Sequence, residues 1–401
     1  MRTTVFGCLG VAAVAFALQF TSANVRAADW FSACNPCDEV ACDPCGETIF
    51  CDPCDPVCGP KVKAGKWFLN GHLEAGFFAN GHGAKSTYTF PGVRGADYWS
   101  GNGPLLMNTR LTGAQVNQVY VSMGKSVDGR RGLDIGGTVD FTWGTDAWIV
   151  QSAGLEFNTG RRGLSEVDLQ AGRGRWGSGD YFASVAQAYV EAAYGDLNII
   201  AGKFYAPFGT SHYKSTDNFF YTWAPTAMIA PHVGGGAYAS YKVNSKFSVT
   251  AGWVMPDEIG ESSKNNAVLG GFNWAPSKRF NLFYAFAAGR NSYHGYALND
   301  PGGGNTDLFV HSLVATVQFN PKLKNVFEWT LLNVNPNFGG PGREYWTAYG
   351  FNNELIYQAN KRWAFGTRFG MVNSDFVLPI GTLGPGDLYT VSLGANWTPN
   401  Q

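Results

Sequence analysis

The chain has 401 residues, 52 of them Gly, with 15% aromatic and only 15% charged residues, against roughly 25% charged in an ordinary soluble domain. The hydrophobic fraction of 45% is ordinary, and beyond the leader no segment holds the roughly 18 consecutive apolar residues that a spanning helix needs, which excludes a helical membrane protein. A formal net charge of −1 argues against a nucleic-acid partner.

Residues 1–27 read as a secretory signal peptide. Arg2 supplies the positive start, Val5 to Phe20 the apolar run, and Val25-Arg26-Ala27 the residues before a cut after Ala27. The run is short for a membrane anchor, and Cys8 lies too near the start for a lipoprotein site. Residues 28–66 form a different unit, a Cys-rich segment with a basic link. It holds Cys34, Cys37, Cys42, Cys45, Cys51, Cys54 and Cys58, separated largely by Pro and Asp. Export to an oxidising compartment makes disulfides the default for these thiols, ahead of metal or redox work. Seven is odd, so one thiol is free, inter-chain or metal-bound. No CxxC is followed by His, which argues against covalent haem. A segment this short has no core of its own and needs staples.

From Trp67 onward the texture is uniform: segments of about ten residues alternate apolar and polar, as strands with one greasy and one wet face do. In 133–143 the apolar set is Leu133, Ile135, Val139, Phe141 and Trp143, against Asp134, Thr138, Asp140 and Thr142. Residues 280–288 and 389–397 repeat the pattern. Segment 197–205 breaks it, because the register of Leu197, Ile199 and Ala201 runs into Lys203; a β-bulge would account for that. Connections alternate between short (128–131, 195–196, 244–246, 276–279, 321–324, 360–362) and long (80–112, 144–181, 208–232, 256–264, 291–307, 337–343, 373–386). Short turns at one end and long loops at the other are the outer-membrane pattern, with the short turns in the periplasm. Aromatic residues cluster beside the short turns: Trp67, Tyr194, Tyr241, Phe247, Trp274, Phe280, Tyr357, Trp363 and Trp397. Rings there lie at headgroup level. The fold expected is all-β: an antiparallel transmembrane β-barrel of about 14 strands over 67–401, with both chain ends on the short-turn side. Residues 395–401 begin the strand-to-turn pattern of 272–278 and then stop. The barrel therefore closes at 14 strands, or has 16 or more if the coding sequence continues past Gln401.

Gly202-Lys203-Phe204-Tyr205-Ala206-Pro207-Phe208-Gly209, Asn218-Phe219-Phe220-Tyr221 and the hairpin from Gly234 to Trp253 resemble stretches of the OmpL-like putative beta-barrel porin family. The likeness covers roughly 67–398 and is sharpest over 185–255. It implies an outer-membrane pore for small hydrophilic solutes, with no functional residues to carry over. The Cys-rich segment and the missing C-terminal strand signal depart from the family.

For a pore, the chemistry lies on the lumen wall. The alternation gives acidic pore-lining candidates Glu74, Asp134, Asp140, Glu191, Glu328 and Glu354, and basic candidates Lys203, Lys242 and Arg368, with His72 beside them. Arg or Lys facing lipid costs roughly 2–4 kcal/mol at mid-membrane, so the wet side is their place. Six acids against three bases imply a weak preference for cations; alternatively these groups pair across strands and stiffen the wall. Loop 208–232, rich in aromatics, reads either as an inward constriction or as a packed surface loop. There is no G-x-S-x-G, H-E-x-x-H or P-loop, so no enzyme, metal or cofactor is expected. The partners expected are outer-membrane lipid, small hydrophilic solutes or ions, and a homo-oligomer such as a trimer. The rival function is a structural envelope barrel, cross-linked to neighbours through its cysteines. Either way the location is the outer membrane of a diderm bacterium, with the N-terminal segment in the periplasm.

Overall fold

The computed structural model describes residues 16–21, 66–79, 113–156, 176–178, 180–256, 259, 266–291, 306–335, 346–375 and 386–399. The Cys34–Cys58 segment lies outside them, as does most of the expected leader.

All strands belong to one antiparallel sheet. A short β1 (Phe16–Thr21) leads into β2 (Trp67–Phe78), β3 (Gly113–Lys125) and β4 (Asp134–Gly144). A two-residue β5 (Gly177–Ser178) flanks β6 (Tyr181–Tyr194), followed by β7 (Leu197–Tyr205), β8 (Val233–Asn244) and β9 (Phe247–Pro256). The rest are β10 (Asn266–Ser277), β11 (Phe280–Asn291), β12 (Thr306–Asn320), β13 (Leu323–Asn335), β14 (Trp346–Gln358), β15 (Trp363–Ser374) and β16 (Gly386–Trp397). Setting β1 and β5 aside leaves fourteen long strands, each paired with the next, as the alternation predicts. They run from 9 to 15 residues, long enough for tilted strands to cross a bilayer. Among the described residues the path is open, since β16 pairs there only with β15. On the opposite edge β1, part of the expected leader, pairs with β2 from Phe16↔Phe77 to Thr21↔His72. A strand edge with unpaired N–H and C=O groups takes up an extended segment in this way.

The two faces differ as period-two patterning requires. On β15 exposed Phe365 and Phe369 alternate with buried Ala364, Gly366, Arg368 and Gly370. Outward side chains are almost all apolar, and Trp67, Tyr194, Tyr241, Trp274, Tyr357, Trp363 and Trp397 stand exposed in a band at the short-turn end. The start of β2 and the end of β16 both lie there: Lys66 O accepts from Ser126 N (3.1 Å), and Thr398 N donates to Arg362 O (2.8 Å).

Three ladders shift register beside short turns, at Lys242/Asn244, Trp274/Ser277 and Gln318/Asn320, and two shift within the strands. Asn117 on β3 and Ala186 on β6 are bulged, each skipped by the ladder of its neighbour. The bulge expected in 197–205 is not there, because β7 pairs without a register shift from Leu197↔Tyr241 to Tyr205↔Val233. Two facing glycines take its place. Gly202 (φ +138) and Gly236 (φ +139) adopt backbone conformations that side chains disfavour, and they are paired with each other. Below them Ile199 and Ala201 face outward; beyond them Lys203 and Tyr205 turn inward.

Candidate functional site

The interior is not an empty tube. The connection from β7 to β8, residues 206–232, folds inward and crosses it. Its base is closed by Ala206 N donating to His232 O (3.0 Å). The loop then reaches the far wall. Gly209 N donates to Ser312 Oγ (3.1 Å) on β12, while Thr210 N and Oγ1 donate to Glu328 Oε2 (3.0 and 2.7 Å) on β13. It returns to β3 and β4, where Gln118 Nε2 donates to Tyr213 O (2.8 Å) and the Tyr213 hydroxyl bonds Thr142 Oγ1 (2.9 Å). Asn117 Nδ2 donates to the Tyr221 hydroxyl (2.9 Å), so the bulged residue of β3 serves the loop.

The stretch Phe219–Tyr221 touches both ends of the strand path. Tyr221 fills the space above Gly76 of β2, Phe220 packs on Gly394 of β16, and Asn396 Nδ2 donates to Phe219 O (3.0 Å). A Cβ on Gly76 would collide with the Tyr221 ring, the local reason for Gly there, and one on Gly394 would sit tightly, 3.0 Å from Phe219 and 3.2 Å from Phe220. Finally the 3-10 turn Pro225–Ile229 packs its apolar side chains against β13, β14 and β15. Met228 and Ile229 there are fully buried among Val310, Leu332, Val334 and Val372.

A second inward segment, Ala147–Val150 with the residues that follow, lines β6. Its anchor is Glu156. The carboxylate accepts from Ser152 N (2.8 Å), Ser152 Oγ (2.9 Å), Ser184 Oγ (2.8 Å), Val185 N (3.1 Å) and Lys203 Nζ (2.7 Å). Lys203 also donates to Val150 O (2.8 Å), and both side chains are closed off from water. The glycine-induced reversal of β7 aims Lys203 at this partner.

The other expected wall residues are placed as follows. His72 stacks on Tyr120 (4.9 Å between centroids), with Nε2 on Gln118 Oε1 (3.0 Å). Glu74 is buried behind the loop. Asp140 is buried and accepts from the Tyr120 hydroxyl and from Gln187 Nε2 (2.6 Å). Arg368 spans loop and wall: Nη1 donates to Thr222 O (2.6 Å), Nη2 to Thr222 Oγ1 (2.8 Å) and Ser392 Oγ (3.2 Å), and the guanidinium lies over Phe220 at 4.7 Å. Glu354 accepts from Asn352 Nδ2 (3.2 Å), and Glu191 from Asn198 Nδ2 (2.6 Å). Asp134 pairs with Lys125 near the short turns, and Lys242 is exposed at that rim. Glu328, Arg368 and Glu354, the cross-strand neighbour of Arg368, thus meet at the loop, as do His72 and Glu74; the remainder are spread around the wall. Glu156 was hidden from sequence reading because it sits in a long connection, where no alternation marks a face.

Within the loop, His232 Nε2 donates to Ala227 O (3.0 Å) and its ring stacks on Trp223. Burial there lowers its pKa from 6.5 to about 4, so the imidazole is neutral near pH 7. Burial likewise drives the Tyr213 phenol far above its usual pKa. Between the loop tip and the wall a recess of about 280 Å³ remains, lined by Asp217, Asn218, Lys324, Gln358, Arg362 and Asn396. The arrangement is a walled interior narrowed by a pinned loop, with polar groups on the surfaces left open.

Known proteins can be set beside this geometry. OmpT of Vibrio cholerae in its trimer form, folded in vitro, is 11% identical, with 84% of this chain and 85% of that chain covered at a TM-score of 0.47. An anion-selective porin from Comamonas acidovorans is 12% identical over 71% of this chain and 92% of its own, with a TM-score of 0.35. The outer-membrane channel DcaP of Acinetobacter baumannii is 12% identical over 70% of this chain and 84% of its own, at 0.34. No curated protein matches the chain significantly. A family profile matches residues 68–401, from the second residue of β2 onward, and the chain belongs to that family, Putative beta-barrel porin-2, OmpL-like.

Proposed function

We propose that the chain is an outer-membrane porin through which small hydrophilic solutes or ions diffuse passively, with residues 206–232 as its constriction. The observation that carries this is the course of that loop. It is hydrogen-bonded to β3 and β4 on one side and to β12, β13, β15 and β16 on the other, so any solute must pass beside it. The loop edge and wall around the recess offer mainly amides and charges, beside Phe219, Ile356 and Ala364, which suits hydrated solutes of mixed chemistry. A weak cation preference is part of the proposal; the inner face carries six acids against three bases by parity, of which Asp134 is paired with Lys125 and Lys203 with Glu156. We also propose that the short-turn end faces the periplasm and that the protein is a homo-oligomer. His311 supports the oligomer: it sits on the outward face of β12 between Phe309 and Tyr284, an uncommon residue to present to lipid.

Planar-bilayer recording of the purified protein tests the function. Discrete conductance steps in 1 M KCl, and a reversal potential of cation sign across a tenfold KCl gradient, are the expected results. A protein that is folded and inserted but silent would overturn the channel reading, and an anion-signed potential the preference.

A further inference from the structure

The short-turn end carries a basic collar, of which only Arg362 also borders the recess. Lys246, Lys278, Arg279, Lys322, Lys361 and Arg362 all lie in or beside its turns and are exposed. None of the six makes an ion pair among the described residues. These like charges stand on one rim with no counter-charge ion-paired to any of them among the described residues.

The sequence supplies those counter-charges. Residues 28–60 contain seven Asp or Glu and no Lys or Arg. The tether is fixed at the right end: Lys66, where the link enters β2, is held at Ser126 by Lys66 N donating to Ser126 Oγ (3.0 Å) and by Ser126 N donating to Lys66 O (3.1 Å). Fully extended, a stretch of this length spans at most on the order of 100 Å. Screening limits the attraction to about 8 Å at physiological salt, so the tether matters: it holds the acidic segment near the collar at an effective concentration of order mM.

We propose that the acidic, Cys-rich segment 28–60 docks on the basic short-turn collar of its own barrel. The segment then serves as the collar's counter-ion, in place of anionic phospholipid headgroups. This holds whatever the pore conducts.

Carbodiimide coupling of carboxylates to amines in the full chain, in zwitterionic detergent, tests it. Mass mapping should find links from residues 29–55 to Lys246, Lys278, Lys322 or Lys361, at least fivefold weaker in 500 mM than in 50 mM NaCl. The collar variant K278E/R279E/K322E/K361E should abolish links to Lys246 as well. Because that variant could misfold, the salt series on the unaltered protein stands as an independent measurement. Links confined to Lys61, Lys63 and Lys66, or links indifferent to salt, overturn the proposal. So does coupling that disappears when the protein is moved into bilayers containing phosphatidylglycerol, which would assign the collar to lipid.

Discussion

Glu156 and Lys203 show how far a single charge can be committed inside this wall. Their side chains are 0% and 1% exposed, and each has partners besides the other. Removing one member of a buried pair strands the other, at a cost of about 3–5 kcal/mol, whereas replacing both with apolar groups costs much less. Glu156→Ala should therefore lower the urea-unfolding free energy of the folded protein by about that amount, and Glu156→Leu with Lys203→Met by clearly less. Equal losses in the two variants would mean that packing, and not charge, holds the segment. His232 gives a second handle, on the loop itself. Its folded pKa of about 4 lies below its ordinary 6.5, so the packed loop favours the neutral ring. That contribution is whole above pH 6.5 and is lost as the pH falls toward 4. Conductance should thus become noisier or larger between those limits, and His232→Gln should flatten the change. A conductance that is constant from pH 7 to 4.5 in the unaltered protein would show that the ring does not help hold the loop.

At the scale of elements, the loop 206–232 is the part on which throughput depends. Deleting residues 211–224 removes the crossing but keeps the base pair Ala206–His232 and the anchor Thr210, so single-channel conductance should rise several-fold. An unchanged conductance in a variant that still inserts would place the constriction elsewhere. The strands themselves were legible in the sequence because a period of two is a local property, visible wherever one face meets lipid, as on β15. The path of the loop was not. Its aromatics announced burial, but whether Tyr213 finds Thr142 or Thr210 finds Glu328 depends on strands about 70 to 120 residues away. The break at Lys203 was visible, but its cause was misread. A bulge in one strand and a pair of facing glycines both turn the next side chain over, and only the ladder shows that Gly202 and Gly236 meet. Parity assigns a face to each wall charge, but it fails at Lys203, which shares the parity of the outward Ile199 and Ala201 and still turns inward. The partners of Lys203, Glu328 and Arg368 lie partly in the inward segments, where parity says nothing.

For the molecule as a whole, the outer surface makes the most discriminating prediction. Val139 stands at the centre of β4, faces outward and is 43% exposed, while Tyr194, 65% exposed, stands at the aromatic band beside a short turn. In a soluble β-protein both are surface positions, and Arg would be tolerated at either, within about 0.5 kcal/mol. In a barrel the outside solvent changes with depth: Arg costs roughly 2–4 kcal/mol at mid-membrane and about 0–1 kcal/mol near the interface. Val139→Arg should therefore destabilise the protein in lipid vesicles by about 2–4 kcal/mol, Tyr194→Arg by no more than about 1, and Thr138→Arg, aimed at the interior, by less than its neighbour. The same three variants in detergent micelles, where local thinning is easier, should spread less widely. The depth dependence carries the argument, because exposure alone ranks Tyr194 as the more open site and predicts no penalty at either. A flat profile in vesicles would remove the lipid from the outer face. A steep one would tie the alternation read along β4 to the hydrocarbon that it was patterned to meet.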